Sequence, residues 1–315
     1  MKKGLFTAAA LAMTLAAFYA WGEWVYEGEW GRDGGGYGEF AYPHGIAVAP
    51  NGNVYVADVW NCRVQYFTST GSFLGYWNSL FWVPEGVAVS PDGKRVYVAD
   101  TGNSRIMYYT SQGSWLGYWG RHGFRSGEFD WPNDVAVAPN GTVFVSDTGN
   151  RRVQYFTRDG SLLGAWRPDR PGRPGGIFAI TRNLVYLTDR DVHCVYRFRH
   201  AGNSWNEYYW GSFGSRAGQF NIPTDVAYDP STRRIFVADA RNHRIQYFTR
   251  TGSFLGQWGS RGTGPGEFEY PVGVAVAPNG WVYVTEEGNY RVQYFRWSEP
   301  AVEPASLGRV KALFR

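Results

Sequence analysis

The sequence predicts an all-β protein in which one small sheet unit is repeated around a ring. Three observations support this prediction: short apolar runs between tight-turn residues, a recurring proline and a recurring acidic residue. The unit is clearest at residues 129–166. Its four apolar runs are Val135–Ala138, Val143–Val145, Val153–Phe156 and Leu162–Trp166. Runs of β-branched and aromatic residues bounded by Gly, Asn and Asp indicate strands joined by tight turns. The unit is therefore a four-stranded antiparallel meander that needs neighbouring copies to cover it.

Six copies of the unit can be counted. The proline that opens the unit recurs at Pro43, Pro84, Pro132, Pro174, Pro223 and Pro271. The acidic residue that ends its second strand recurs as Asp58, Asp100, Asp147, Asp189, Asp239 and Glu286. Six four-stranded units with a period of about 40 to 50 residues predict a six-bladed β-propeller.

The two ends of the repeated region predict how the ring closes. The sixth unit stops after its third strand, Arg291–Arg296. A single strand, Trp24–Trp30, precedes the first unit and ends with Trp, as the fourth strand of the other units does. We therefore expect a propeller over residues 22–297 whose N-terminal strand completes the last blade and leaves the ring closed.

The repeat has a recognisable pattern. Residues Gly266-Glu267-Phe268 through Phe295 follow G-x-G-E-F-x-x-P-x-G-V-A-V-x-P-x-G-x-V-Y-V, then A-D-x-x-N-x-R-V-Q-Y-F, with few departures. This pattern resembles the NHL repeat, and the resemblance extends over about residues 22–297. It implies a six-bladed propeller. It does not decide the function, because this fold serves sensors, RNA-binding modules, scaffolds and some lyases.

The ends of the chain differ from the repeated region. Residues 1–21 combine a basic start, Met1-Lys2-Lys3, with the uncharged stretch Gly4–Trp21, which is typical of a signal peptide or an N-terminal membrane anchor. Residues 298–315 form a C-terminal tail. We expect an extracytoplasmic protein, whether periplasmic, secreted or on the cell surface. It would contact a membrane only through residues 1–21, if they are not cleaved.

Charge argues against nucleic acid as a partner. The chain has a formal net charge of +4, but Lys2, Lys3 and the tail supply most of it. The loops between units carry eight Arg and seven acidic residues, so they form no basic surface. The expected partner is an unidentified protein or small ligand.

A repeated pair of opposite charges is interpreted as structural. In five of the six units, the acidic residue at the end of the second strand is followed, five positions on, by Arg at the start of the third. The residues of these pairs are Asp58, Arg63, Asp100, Arg105, Asp147, Arg152, Asp239, Arg244, Glu286 and Arg291. A residue needed in every copy is explained by the repeat itself, here by a charge-assisted bond that ties the hairpin.

The fourth unit departs from this rule. Asp189 is followed by Val192 and Cys194 where Asn and Arg are expected. We favour drift as the reason, since loops vary more freely than the strands they join. The alternative is a specialised turn in which Arg190, Asp191 and His193 take part.

Residues that break the repeat predict a site at one end of the central channel. The two residues after each repeated Pro begin the innermost strands, at the face that carries the longer, unequal loops. The polar ones are His44, Glu85, Asn133, Asp134, Thr224 and Asp225. They could converge on a small ligand or a cation, for which Ca²⁺ suits the oxygen ligands. In the alternative interpretation, Asp134 and Asp225 cap backbone amides and His44 is an ordinary exposed residue.

Aromatic residues divide into two groups. The Trp and Tyr-Phe residues in regular positions at strand ends are expected to pack between blades. Those assigned outside the pattern are the candidates for exposed stacking surfaces on the loops: Trp60, Phe81, Trp82, Phe124, Trp131 and Tyr270.

Catalytic motifs are lacking in the sequence. The resemblance includes peptidylglycine-type lyases, which hold a central zinc through three His, and here the predicted ring offers only His44. No cofactor is indicated. The leading hypothesis is an exported, non-catalytic propeller that acts as a binding or scaffold module through its variable-loop face. One alternative is an extracytoplasmic metal-dependent lyase or hydrolase with its site at the channel mouth. The other is a structural surface or filament subunit.

Overall fold

A computed structural model describes residues 22–78, 80–170, 172–202 and 204–299. The predicted signal peptide or anchor, residues 1–21, lies outside the described residues, as does the tail from residue 300 onward. Within the described ranges, no helix is both long enough and apolar enough to span a membrane.

Twenty-four strands account for nearly all regular structure. In chain order, blades one to three contain β2 Pro43–Val48, β3 Val54–Asp58, β4 Arg63–Phe67, β5 Phe73–Trp77, β6 Pro84–Val89, β7 Arg95–Asp100, β8 Arg105–Thr110, β9 Trp115–Trp119, β10 Pro132–Val137, β11 Val143–Asp147, β12 Arg152–Phe156 and β13 Leu162–Trp166. Blades four to six contain β14 Pro174–Thr181, β15 Leu184–Asp189, β16 Cys194–Ala201, β17 Ser204–Trp210, β18 Pro223–Asp229, β19 Arg234–Asp239, β20 Arg244–Thr249, β21 Phe254–Trp258, β22 Pro271–Val276, β23 Val282–Glu286, β24 Arg291–Ser298 and β1 Glu23–Trp30.

The strands form six antiparallel sheets of four, so the predicted six-bladed β-propeller is confirmed. The predicted closure is confirmed as well. β1 is the outermost strand of the sixth sheet and pairs with β24 from Glu23 opposite Ser298 to Trp30 opposite Val292. The first and last segments of the propeller are therefore held in one sheet.

The core lies between blades, because each sheet is apolar on both faces. Between blades three and four, for example, Ala136 and Phe144 pack with Ile177 and Leu187, and all four are buried. Trp166, at the end of the fourth strand of blade three, lies in the same cluster. Burial on both faces is the reason that these strands read as nearly continuous apolar runs.

Candidate functional site at the channel mouth

The site forms where the innermost strands leave their regular pairing. In all six blades the register of the first two strands shifts just after the repeated Pro, for instance between Pro43 and Ile46 and between Pro132 and Asp134. Such bulges re-aim side chains at the ends of strands. The six innermost strands surround a central channel. Five of the predicted residues line it: His44, Asn133, Asp134, Thr224 and Asp225.

Two predicted carboxylates join neighbouring blades. One oxygen of Asp134 accepts a hydrogen bond from the backbone N–H of Ile177 at 2.8 Å. Asp225 accepts likewise from Val274 at 2.8 Å and from Val226 at 2.7 Å. Both carboxylates thus satisfy amides that the bulges leave free, as the capping interpretation expects. The structure places Asp134 and Asp225 at the mouth but orients them toward the backbone.

His44 is enclosed, so the interpretation of this residue as ordinary and exposed is wrong. Its side chain is only 12% exposed. Burial, with a further contribution from the charge of Arg190, lowers the pKa of His44 to about 3. The imidazole is therefore neutral near pH 7, and its Nε2 is free to accept a hydrogen bond.

Arg190, which sequence reasoning did not include in the site, crosses the mouth. Its Nη2 lies 3.2 Å from Nε2 of His44 and donates to Oδ1 of Asn133 at 3.2 Å. The amide of Asn133 in turn donates to the carboxylate of Glu85. Because blade four stands opposite blade one in the ring, these contacts form a polar bridge from one side of the mouth to the other.

The fourth blade makes room for this bridge. Gly175 and Gly176 occupy the two positions that carry side chains in blade three, and a methyl group added to Gly175 would lie 3.3 Å from Nε of Arg190. The position of Arg190 also differs between blades. The residues that follow the repeated acidic residue are Val59, Thr101, Thr148, Arg190, Ala240 and Glu287. Aligning this position across the six units would have pointed to Arg190 and Glu287.

Glu287 is a further titratable group at the mouth. Its Oε1 lies 4.0 Å from Nε2 of His44, and burial raises its pKa to about 7. Burial also raises the pKa of Glu85, and that of Asp225 to about 7. The pKa of Asp134 is raised by burial and by the nearby charge of Asp225. The mouth therefore holds one guanidinium, one neutral imidazole and four carboxyl groups that protonate more readily than usual.

The mouth does not fit the calcium ion considered from the sequence. A guanidinium occupies the position where the polar side chains converge, and it repels a second cation. The oxygens of Asp134 and Asp225 already accept backbone hydrogen bonds. Across the described residues, no three His, Cys, Asp or Glu side chains are arranged to hold a metal ion.

Thr224 is buried at the mouth, where its hydroxyl oxygen lies 3.4 Å from the carbonyl oxygen of Ala238 and 3.5 Å from that of Pro271. It therefore faces the backbone of its own and the next blade. Arg190 and Glu287 remain partly exposed, as do His44, Glu85, Asp134 and Asp225.

The repeated charge pairs lie away from the channel, within the blades. The Arg Nε donates to the carboxylate at 2.6 to 2.8 Å in all five pairs: Asp58–Arg63, Asp100–Arg105, Asp147–Arg152, Asp239–Arg244 and Glu286–Arg291. In blade three, Nη2 of Arg152 also donates to the carbonyl oxygens of Arg125 and Glu128 in the preceding loop. These contacts tie the loop between blades to the turn of the next blade.

The aromatic candidates separate into exposed and buried residues. Trp60 is 69% exposed and Trp82 is 57% exposed, and Phe124, Trp131 and Tyr270 are exposed as well. Phe81 is buried, at 6% exposure, and packs edge-on against Tyr109, so its expected exposure is wrong. The physical reason is its position. Phe81 lies three residues before Pro84, where four of the other five loops place a buried Phe, namely Phe40, Phe129, Phe220 and Phe268.

Fold and site define a closed six-bladed propeller with one polar mouth. Family models agree with the repeat. The model described as "NHL repeat" matches residues 40–67, 220–248 and 268–295. The model described as "SMP-30/Gluconolactonase/LRE-like region" matches residues 76–174. The chain thus carries NHL repeats and forms a six-bladed β-propeller.

Individual relatives are similar in part or in fold. NHL repeat-containing protein 3 of Homo sapiens is 42% identical over 67 residues, which are 20% of this chain and 19% of that protein. The match therefore spans about a fifth of the relative's length. A putative gluconolactonase structure has a TM-score of 0.65 at 16% identity, over 90% of this chain and 95% of that one. A streptogramin B lyase structure has a TM-score of 0.60 at 13% identity, over 82% and 94%. Both structures share the fold with this chain.

Proposed function

We propose that the protein is an exported binding module that holds a protein or small ligand on its variable-loop face, at and around the channel mouth. One observation carries this proposal. The side chains that break the sixfold repeat gather at one end of the channel, where Arg190 crosses the opening. A concave site with a few convergent polar groups is the usual form of a binding pocket.

Exposed aromatic residues support the same face. Trp60, Trp82 and Trp131 belong to loops on that face, and the ring of Trp60 stacks on Tyr42 at 4.4 Å between centroids. Large, rigid aromatic side chains are enriched at the centres of protein interfaces. They give the proposed face a contact area that the short turns at the other end of the channel do not offer.

The loop charges favour such a partner over nucleic acid. Arg residues of the loops form ion pairs with Glu residues of the same loops: Arg32–Glu39 at 2.6 Å, Arg121–Glu128 at 2.8 Å and Arg261–Glu269 at 2.9 Å. Phosphate binding depends on unpaired basic groups that can release counterions. We therefore propose that the loop face does not bind nucleic acid.

The binding proposal is tested by comparing exposed Trp residues on two surfaces. Trp82, on the loop face, and Trp115, on an outer strand, are 57% and 58% exposed. Full-length protein with Trp60→Ser and Trp82→Ser is compared with Trp115→Ser in crosslinked capture from the cells that make the protein. We expect the loop-face variants to lose a partner that the wild type and Trp115→Ser retain. Equal retention in all variants would contradict the proposal.

Export is proposed from residues 1–21, whose composition is typical of a signal peptide or anchor. Cell fractionation and the mass of the mature N-terminus test it. We expect the propeller outside the cytoplasm, with cleavage near residue 21 or retention in the membrane fraction. A cytoplasmic protein with an intact Met1 would contradict this part of the proposal.

A second candidate is a hydrolase or lyase with its site at the same mouth. The observation that favours it is the placement of Glu287, with a pKa raised to about 7, 4.0 Å from His44 and near Arg190. A carboxyl group poised near neutral pH suits general acid–base catalysis. The gluconolactonase-type match over residues 76–174 suggests lactones as the first substrates to assay, and streptogramin B as the next. Turnover lost in Glu287→Gln would support this candidate, whereas no turnover of either substrate would count against it.

A further inference from the structure

We propose that Arg190 makes the channel mouth a receptor for a carboxylate carried on a slender apolar body. This inference rests on the proposed binding function and names the chemistry of its ligand. The ligand would be a small aliphatic acid or the free carboxyl end of an apolar peptide. Its carboxylate would meet the guanidinium, and its apolar part would enter the channel.

The guanidinium of Arg190 has unused hydrogen-bonding capacity. Its two hydrogen bonds both involve Nη2, and both partners are uncharged. Nε is buried without an acceptor among the described residues. No carboxylate oxygen of the described residues lies within 4.0 Å of it, in contrast to the five Arg residues of the repeated pairs. A guanidinium in this state suits a planar carboxylate, which it can bind through two parallel hydrogen bonds.

The four nearby carboxyl groups do not satisfy Arg190, because each is engaged elsewhere or lies at a greater distance. Asp134 and Asp225 accept backbone hydrogen bonds, and Glu85 accepts from Asn133. Glu287, in the sixth blade, lies 4.0 Å from Nε2 of His44 and forms no ion pair with Arg190 within 4.0 Å. Their raised pKa values reduce the negative charge that an incoming carboxylate would meet near neutral pH.

Beneath the polar bridge the channel becomes apolar. The residue three positions after each repeated Pro is β-branched and aliphatic in every blade, and the residues after it are mostly Ala and Val. The lining residues three positions after Pro are buried between blades, and the lining residues that remain partly exposed along the channel include Val48, Val89, Val137, Phe178 and Val276. An aliphatic chain gains about 0.8 kcal/mol for each CH₂ that leaves water. The guanidinium thus lies at the mouth and the apolar lining lies beneath it. This arrangement is complementary to a ligand with an anionic end and an apolar body.

Binding of a carboxylate should be coupled to protons. The titratable groups facing Arg190 are His44 of blade one, Glu85 of blade two, Asp134 of blade three, Asp225 of blade five and Glu287 of blade six. An added negative charge raises the pKa of these carboxyl groups further, so binding takes up protons. Affinity for a carboxylate should therefore fall as the pH rises from 6 to 8. A cationic ligand would show the opposite dependence.

The experiment compares two probes of matched length and opposite charge. Hexanoate and hexylammonium are titrated calorimetrically into full-length protein at pH 6, 7 and 8. The variants are Arg190→Gln and, as control, Arg241→Gln, which changes an exposed Arg in the matching turn of blade five. We expect hexanoate to bind the wild type and Arg241→Gln equally. Arg190→Gln should bind it roughly ten- to a hundredfold more weakly, the usual effect of losing hydrogen bonds to a charged group.

Other results would overturn the inference. Equal hexanoate binding by Arg190→Gln would do so, as would hexylammonium binding in preference to hexanoate, or no hexanoate binding at millimolar concentration. Thermal melts establish that each variant is folded. A capped apolar peptide with a free carboxyl end, compared with its amide, distinguishes a peptide terminus from a free acid as the source. If hexanoate fails while Trp60→Ser and Trp82→Ser still lose their partner, the carboxylate inference falls and the binding proposal stands.

Discussion

Blades three and four share a backbone plan but use the same turn in different ways. In blade three the carboxylate of Asp147 accepts hydrogen bonds from Arg152 at 2.6 Å, Gln154 at 3.0 Å, Asn150 at 3.0 Å and the backbone N–H of Asp130 at 2.8 Å. Arg152 and Gln154 also hold carbonyl oxygens of the preceding loop. This hydrogen-bonded cluster therefore holds the preceding loop against the blade.

Blade four keeps the acidic residue and loses the partners. Cys194 and Tyr196 replace the Arg and Gln, and the Oδ2 of Asp189 and the hydroxyl of Tyr196 are buried without a hydrogen-bond partner among the described residues. The other oxygen of Asp189 accepts from the backbone N–H groups of Asp191 and Val192. An exposed ion pair between Arg173 and Asp191, at 2.8 Å, joins the preceding loop to the turn.

The difference separates stability from function. In blade three the residue after the acidic position, Thr148, donates to the carbonyl oxygen of Pro174 at 2.6 Å and stays within the scaffold. In blade four that position is Arg190, which extends across the channel. The turn of blade four, which lacks the Arg and Gln hydrogen bonds of the regular blades, is thus the one that supplies the guanidinium at the mouth. Marginally stable local structure at a binding site is common in proteins.

The largest expected effect comes from removing the Arg of the regular blade. Arg152→Ala leaves the buried carboxylate of Asp147 without its ion-pair partner and removes the Arg donors to three loop carbonyl oxygens, of which that of Glu128 keeps its bond from Gln154. We expect a loss of about 3 to 5 kcal/mol in the free energy of unfolding, the usual cost of an orphaned buried charge. Cys194→Ala, the matched change in blade four, should cost roughly 1 kcal/mol, since it removes only a small buried side chain. Urea denaturation measures both, and similar losses would contradict the proposed division between the blades.

The second-largest difference in stability is expected between substitutions of the acidic residues of the two blades. Asp147→Asn removes the charge opposite Arg152 and should cost roughly 2 to 4 kcal/mol. Asp189→Asn removes a carboxylate that lacks a cationic partner, and should change stability by less than about 1 kcal/mol, in the direction of a gain. Burial raises the pKa of both carboxyl groups, so the direction of the pKa does not distinguish Asp147 from Asp189. Their hydrogen-bond donors do, because Asp147 has the cationic donor Arg152 and Asp189 has backbone N–H donors.

The pH dependence checks this assignment for Asp189. Its folded-state pKa lies above the unfolded value, so the folded protein keeps the proton to higher pH. The carboxyl group therefore destabilises the fold increasingly as pH rises above the unfolded pKa of about 4. The gain from Asp189→Asn should grow from pH 4 toward neutrality in thermal melts. A gain that shrinks over this range would contradict the conclusion that this carboxylate lacks a cationic partner.

Glu287 of blade six occupies the same turn position as Thr148 of blade three and Arg190 of blade four, so it gives a third test of that position. Burial raises its pKa to about 7, so between its unfolded pKa and pH 7 the folded state binds the extra proton and stability falls as pH rises. Glu287→Gln should therefore stabilise the protein by roughly 1 kcal/mol at pH 8 and have little effect at pH 4. The side chain is 29% exposed, which keeps the expected gain modest. Melts of both proteins at the two pH values measure it, and a loss of stability at pH 8 would contradict it.

The fold was predictable from the sequence because the information is repeated. Six prolines, six acidic residues and a missing fourth strand in the last unit specify blade number and closure without any long-range contact having to be known. The error over Phe81 came from treating the shortest loop as irregular. Counting back three residues from Pro84 gives the buried position that Phe40 and Phe129 occupy.

The site was predictable only in part. The residues after each Pro were found because they break a repeat at a position known to begin an inner strand. Glu287 was missed, and Arg190 was named only in the less favoured interpretation of the fourth unit as a specialised turn. Both lie in a different turn, and their convergence on His44 depends on the ring bringing blades four and six toward blade one. The sequence signal for both was present at the position after the acidic residue, where four blades have Val, Thr or Ala.

The smallest stability effect should come from the Arg at the mouth, which tests the comparison most directly. Arg152→Gln and Arg190→Gln are the same chemical change in adjacent blades. Arg190 donates only to uncharged partners and belongs to no ion pair of the described residues, so its loss should cost less than about 1 kcal/mol. Gly175→Ala, whose new methyl group would lie 3.3 Å from Nε of Arg190 and 2.7 Å from the hydroxyl of Thr188, should also displace the guanidinium. Both variants should weaken hexanoate binding while Arg152→Gln, studied below its midpoint of unfolding, leaves it unchanged. If Arg190→Gln destabilised the protein as much as Arg152→Gln does, Arg190 would be a structural clamp like the others, and the distinction between the two blades would not hold.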